Sequence, residues 1–80
     1  MAFANPTVTN ADINTLGSRL SHARQNKRLS LKKVALVAGV EQETLEAWED
    51  DDAMPRSNRL TMLAGILDVS PSWLLNGREI

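Results

Sequence analysis

The side chains able to do chemistry fall into two blocks of opposite charge. Arg24, Lys27, Arg28, Lys32 and Lys33 place five basic residues within ten positions, and Glu41, Glu43, Glu46, Glu49, Asp50, Asp51 and Asp52 place seven acids within twelve. The simplest role of a charge run is a solvated face. The acidic block lacks the alternating Asp-x-Asp-x-Asp-Gly pattern and terminal glutamate of a calcium loop. With no cysteine and one histidine, thiolate sites and paired-imidazole sites are excluded, so no metal site is expected. His22 and Ser18 share one side of a helix but have no carboxylate at a useful spacing, so they form no nucleophile–base system. There is no Gly-rich phosphate loop and no paired-acid hydrolase pattern. The chain is expected to be no enzyme and to need no cofactor.

These charges sit on a chain of 80 residues with net charge −1, enough for one small domain. A domain this size buries only ~60–65% of the surface its unfolded chain exposes, so it depends on efficient helix packing or a partner. The longest apolar run, Val34 to Val40, is too short to span a bilayer. Met1 to Ala11 has neither a basic residue nor an apolar core and is not expected to act as a signal peptide. A reducing cytoplasm is the expected compartment.

Residues 1–9 read as a flexible tail and residues 10–80 as the folded domain. Asn10 is a candidate cap for a first helix, in which Ile13, Leu16, Leu20 and Ala23 form an apolar stripe ending near Gln25 or Asn26. Ser30 caps a second helix carrying Leu31, Val34, Ala35 and Ala38, and Gly39 ends it. Glu41 and Glu43 favour the positive end of a third helix, whose inward face is Leu45 and Trp48. Asp50 to Asp52 oppose its dipole and belong to a loop ending at Pro55. Ser57 is a candidate cap for a fourth helix with Leu60, Leu63, Ala64 and Leu67. Gly65 inside that helix costs ~1 kcal/mol against alanine and suggests a close helix contact. Ser70-Pro71 opens a fifth helix with Trp73 and Leu74, and Asn76-Gly77 ends it. No segment alternates with period two long enough for a strand. The fold class is therefore all-α, with Val34, Ala35, Val40, Leu45, Trp48, Leu60, Leu63 and Leu67 expected to share one core.

The stretch from Leu31 to Asp50 has the pattern of a helix-turn-helix, two short helices joined by a glycine-containing turn. Ala35 is small where the helices cross, Gly39 takes the turn, and Val40, Leu45 and Trp48 seal the angle. An ordinary αα-hairpin would satisfy part of this pattern as well. The flanks add Leu16-Gly17-Ser18-Arg19-Leu20, Arg24, Leu29-Ser30, Glu49, Pro55, Leu60, Leu63-Ala64, Leu67, Val69-Ser70 and Trp73-Leu74-Leu75-Asn76-Gly77. With them, the run from Leu16 to Arg78 resembles the lambdoid phage repressor and Cro-like family, also called the xenobiotic-response-element (XRE) family of bacterial regulators.

That resemblance implies a compact, lambda-repressor-like five-helix domain whose third helix enters the DNA major groove, usually as a homodimer. It places Gln42, Glu43, Glu46 and Ala47 at base edges, and Thr44 near the phosphates. An amide such as Gln42 suits adenine, whose N6 and N7 it can bond together. Lys27, Arg28, Lys32 and Lys33, with Arg56, are left for the phosphates. Arg24 is implied to pair with Glu49, tying the first helix to the third. Trp73, Leu75 and Ile80 are either core or a dimer seam, as in relatives.

Two departures from the family pattern stand out. Leu31 replaces a glutamine that in relatives grips phosphate, and Asp50 to Asp52 replace glycine and basic residues. Leu36 and Val37 lie off the core face and serve either as cover for the tail or as a protein contact. The expected function is a sequence-specific transcriptional regulator of bacterial or phage type, cytoplasmic and on the nucleoid when bound to double-stranded DNA. The alternative is a protein-interaction module on the same fold that antagonises another DNA-binding regulator.

Overall fold

The computed structural model describes residues 14–77, and within them the chain forms five helices and no strand. They are α1 (Leu16–Asn26), α2 (Leu31–Ala38), α3 (Gln42–Glu49), α4 (Ser57–Leu67) and α5 (Pro71–Asn76). Asn10, Ile13, Ile80 and the expected tail lie outside the described residues.

The start of α1 is corrected by the structure. Residues 14 and 15 form a bend, and Thr15 caps the helix through a reciprocal box with Ser18. The Ser18 N–H donates to Thr15 Oγ1 at 3.1 Å, and the Thr15 N–H donates to Ser18 Oγ at 3.0 Å. Two donors of the first turn are satisfied together, so the helix begins here rather than at Asn10. Ser30 and Ser70 cap α2 and α5 as expected, accepting from the Lys33 and Trp73 N–H groups at 3.0 Å. Ser57 does not cap α4. Arg56, extended at ψ 164, holds the N-cap position without a side-chain bond, and Ser57 is already helical.

Every one of these helices is followed by a residue with positive φ: Arg28, Gly39, Asp51, Asp68 and Gly77. Such a residue turns the chain so that the next N–H reaches back to an otherwise orphaned carbonyl of the last turn. Leu29 N–H to Arg24 C=O (3.1 Å), Val40 to Ala35 (3.0 Å), Asp52 to Ala47 (2.9 Å) and Val69 to Ala64 (3.0 Å) close four of the five ends in this way. Three positions where glycine is usual carry Arg or Asp.

The sharp ends let short helices stack around one core. α3 packs on α1 and α2, α4 on α2 and α5, and α5 on α1. Leu16, Leu20, Ala23, Val34, Ala35, Ala38, Leu45, Trp48, Leu60, Leu63, Ala64, Leu67 and Leu74 are buried together. Seven of the eight expected core residues are among them, while Val40 is only half-buried and packs on the cluster's edge. Gly65 is exposed, and a Cβ there would meet nothing within 4 Å, so it marks no helix crossing. The close approach is at Gly17, where a Cβ would lie 2.5 Å from the Glu49 C=O and 2.6 Å from the Trp48 C=O.

Candidate nucleic-acid interface

The angle between α2 and α3 is set by small and apolar groups. Ala35 is buried, Gly39 turns the chain at φ +75, and Leu45 and Trp48 are buried below the corner. Arg59 on α4 adds a polar tie by donating from Nη1 to the Ala38 C=O at 3.1 Å. A cation at a helix C-terminus meets both an orphan carbonyl and the negative end of the dipole. The far end of α3 is held by Arg24. Its Nε and Nη2 donate to Glu49 Oε2 and Oε1 at 2.7 and 3.1 Å, and its Nη1 donates to the Leu29 C=O at 2.9 Å. The two-pronged pair and the carbonyl together engage all three guanidinium nitrogens.

With both ends of α3 fixed, its outward residues have defined positions. Gln42, Glu43 and Glu46 are exposed, and Thr44 and Ala47 are half-buried. Gln42 Nε2 donates to Glu46 Oε2 at 3.3 Å. Glu41, Gln42, Glu43 and Glu46 line one shallow depression at the start of the helix. Thr44 and Arg56 come together along a second open groove that also includes Glu41, Met54 and Asn58.

Lys27 and Arg28 lie in the turn between α1 and α2, and Lys32 and Lys33 in the first turn of α2, all exposed. Arg28 holds its side chain out from a left-handed backbone at φ +60. Leu31 is half-buried against the core. On α5, Leu74 is fully buried, Trp73 is half-buried and Leu75 is exposed. Leu36 and Val37 are 73% and 53% exposed.

The acidic loop is not one uniform charge. Asp50, Asp51 and Asp52 are all exposed, but the Asp51 carboxylate also accepts from Gly17 N–H at 2.9 Å and from the Thr15 hydroxyl at 2.6 Å. Asp51 therefore places its charge on the positive end of α1 while staying at the surface.

The structural roles of Asp51, Arg59, Gly17 and Arg19 are those that sequence reasoning did not assign. Arg19 is 6% exposed, and its Nε and Nη2 donate to the Leu74 and Leu75 carbonyls at 2.8 and 3.0 Å. Besides its place in the Leu16-Gly17-Ser18-Arg19-Leu20 run, its signal in the sequence is its position on the Leu16–Leu20–Ala23 stripe, where a charged residue must find buried partners. Among the described residues, no three His, Cys, Asp or Glu side chains are placed to hold a metal ion, and no helix is long and apolar enough to cross a membrane.

Residues 17–80 match the sequence model of a family described as a helix-turn-helix domain. Over 65 residues the chain is 29% identical to the HTH-type transcriptional regulator DicA of Escherichia coli (strain K12). That alignment covers 81% of this chain and 48% of DicA, so the chain spans about half the length of that relative. The P22 c2 repressor, solved with a synthetic operator, superposes with a TM-score of 0.77 at 25% identity, over 80% of this chain and 97% of that one. SinR of Bacillus subtilis, a master regulator for biofilm formation, has been solved with DNA and with SinI. The DNA complex gives a TM-score of 0.71 and 31% identity over 75% of this chain and 97% of that one. The SinI complex gives 0.72 and 32% over 78% and 61%.

Proposed function

Because the chain belongs to the helix-turn-helix domain family, of the XRE type that includes the lambdoid repressors, we propose that it is a sequence-specific DNA-binding transcription regulator. It acts in the cytoplasm as a homodimer. The observation that carries this reading is α3 itself. It is clamped at one end by the Gly39 corner and at the other by Arg24–Glu49, and it presents Gln42, Glu43 and Glu46 outward. A major groove admits one α-helix, and rigid placement of a few side chains is what base recognition requires.

In this reading Gln42, Glu43, Glu46 and Ala47 face base edges. Lys27, Arg28, Lys32, Lys33, Thr44 and Arg56 serve the phosphates, which position the protein without reading sequence. The half-buried Trp73 and exposed Leu75 of α5 supply the seam between subunits, together with Ile80. A two-fold dimer places its α3 helices about 34 Å apart, one turn of DNA, on a pseudo-palindrome.

The experiment is selection of binding sites from random duplexes, followed by titration of the selected site against salt. Binding should weaken with salt by about 0.9 log units of affinity per log unit of salt for each phosphate neutralised. Replacing Lys32 and Lys33 with alanine should weaken all sequences alike, while Gln42→Ala should flatten preference at one base pair. Failure to select any duplex, even at low salt, would refute the proposal. Sedimentation of the free and DNA-bound protein tests the dimer, and a strict monomer in both would remove that part.

A second reading, a partner protein held on the same fold, is favoured by the exposure of Leu36 and Val37. SinR, whose fold this chain shares, has been solved with the protein SinI. If that reading is right, Leu36→Ser with Val37→Ser abolishes partner binding without changing the affinity for DNA.

A further inference from the structure

We propose that Glu46 is a positioning residue for Gln42, and that the pair directs α3 to adenine over guanine. The proposal rests on the DNA-reading role given to α3 above. Gln42 is the first residue of α3 and Glu46 lies one turn on, both exposed, with Nε2 donating to Oε2 at 3.3 Å. An isolated glutamine amide can turn either end towards a base. A carboxylate has no proton to give, so only the nitrogen end of the amide can face Glu46.

One N–H of Gln42 is then used. The tip of the side chain is left with a single N–H donor and the Oε1 acceptor, in a known order. Adenine's major-groove edge is the complement of that pair: N7 accepts and N6 donates. Guanine offers two acceptors, N7 and O6, and these need two donors. A free amide can aim both its N–H groups at guanine, but one held by Glu46 cannot.

The surroundings act in the same direction. Glu41, Glu43 and Glu46 line the same depression as Gln42, so the amide works in a field of carboxylates. At the purine that Gln42 faces, such a field favours adenine, whose N6 donates, over guanine, whose N7 and O6 both accept. Carboxylates also accept from cytosine N4, so the discrimination rests on the held Gln42 amide and not on the field alone. Exclusion of water when α3 enters the groove strengthens both effects, because polar interactions are stronger at low local dielectric.

The test uses the full chain and fluorescence anisotropy on the duplex selected by the wild-type protein. Its companion duplex carries G·C in place of A·T at the position that Gln42→Ala desensitises. Wild type should prefer the A·T duplex by roughly tenfold to a hundredfold, the range of one good two-bond contact. Glu46→Ala should bind both duplexes more tightly, because a negative charge is gone, while the A·T to G·C ratio falls several-fold. Glu46→Gln, which loses the charge but can still accept from Gln42, should keep part of the ratio.

A merely structural role for Glu46 would lower both affinities together and leave the ratio unmoved. Equal tightening on both duplexes by Glu46→Ala would overturn the proposal, leaving Glu46 as a charge and nothing more. A wild-type protein that selects a site but shows no adenine preference would overturn it too, with the DNA-binding reading intact. A protein that selects no duplex would overturn both.

Discussion

The Asp51 carboxylate sits on the first turn of α1, its Oδ1 accepting the Gly17 backbone N–H at 2.9 Å across 34 residues of sequence. Its other oxygen takes the Thr15 hydroxyl at 2.6 Å. α1 thus has a local cap, Thr15 with Ser18, and a distant one from the loop after α3. Asp51 itself adopts φ +63, a left-handed conformation that Asp tolerates better than most residues. The loop is held to α1 by a charge placed where the helix dipole is positive.

Asp51→Ala should therefore cost about 1–2 kcal/mol, the loss of a helix cap. Its neighbours, which make no such bond to α1, should behave differently, with Asp50→Asn and Asp52→Asn each staying within about 0.5 kcal/mol of wild type. Urea unfolding of the three variants checks this. Equal effects at all three positions would show the loop to be uniform. Neutralising only Asp50 and Asp52 is accordingly the clean way to relieve repulsion from DNA, and it should tighten non-specific binding.

Gly17 and Gly65 should respond to alanine with opposite signs. At Gly17 the new methyl would collide with the backbone carbonyls of Trp48 and Glu49, which cannot move without shifting α3. Gly17→Ala should destabilise by about 1–3 kcal/mol, as overpacking does. At Gly65 the space is open and the residue lies within α4. Gly65→Ala should stabilise by about 0.5–1 kcal/mol, because alanine loses less backbone freedom on entering a helix. Thermal midpoints of the two variants measure this contrast.

The side chains of Arg24 and Glu49 are only 14% and 8% exposed, so removing one leaves the other charged in a largely dry site. Glu49→Gln or Arg24→Met should each cost about 3–5 kcal/mol. The double change to methionine at both positions should cost less than the sum, since no unpaired charge remains. A double-mutant cycle in denaturant gives the coupling, and additive losses would show that the pair does not act as a unit.

Arg28 should separate stability from binding. Its positive φ carries a penalty for any residue with a Cβ, so Arg28→Gly should stabilise the fold by up to about 1 kcal/mol. If Arg28 meets a phosphate, the same change should weaken DNA binding on every sequence and lower the salt slope by about one unit per subunit. Stability rising while affinity falls is the expected signature, and unchanged affinity would take Arg28 off the phosphate surface.

Much of the helical frame could be read from residues close together in the chain. The 3.6-residue period of Val34, Ala35 and Ala38, the Ser30 and Ser70 caps and the turn at Gly39 are local events that neighbouring side chains settle among themselves. The corner between α2 and α3 was legible for the same reason. Short turns leave two helices few ways to pack, and small Ala35 opposite Leu45 and Trp48 selects one of them. The start of α1 was misread because Asn10 and the Thr15–Ser18 box are both acceptable caps. Local propensity alone could not choose between them.

What the sequence determined by itself was a set of short amphipathic helices, their order, and an α3 with Gln42, Glu43 and Glu46 on its outward side. What only the tertiary structure decided was which polar groups close the helix ends from afar. Asp51 reaches α1, Arg19 reaches the Leu74 and Leu75 carbonyls of α5, and Arg59 reaches the Ala38 carbonyl of α2. Along the chain, Asp51 is indistinguishable from Asp50 and Asp52. It differs only because the packing of α1 on α3 leaves the glycine at 17 no side chain in the way and brings one carboxylate within hydrogen-bond distance of two donors. The period of a helix says which face turns inward, but not which distant helix end will stand opposite a given charge. That meeting is settled when the core closes.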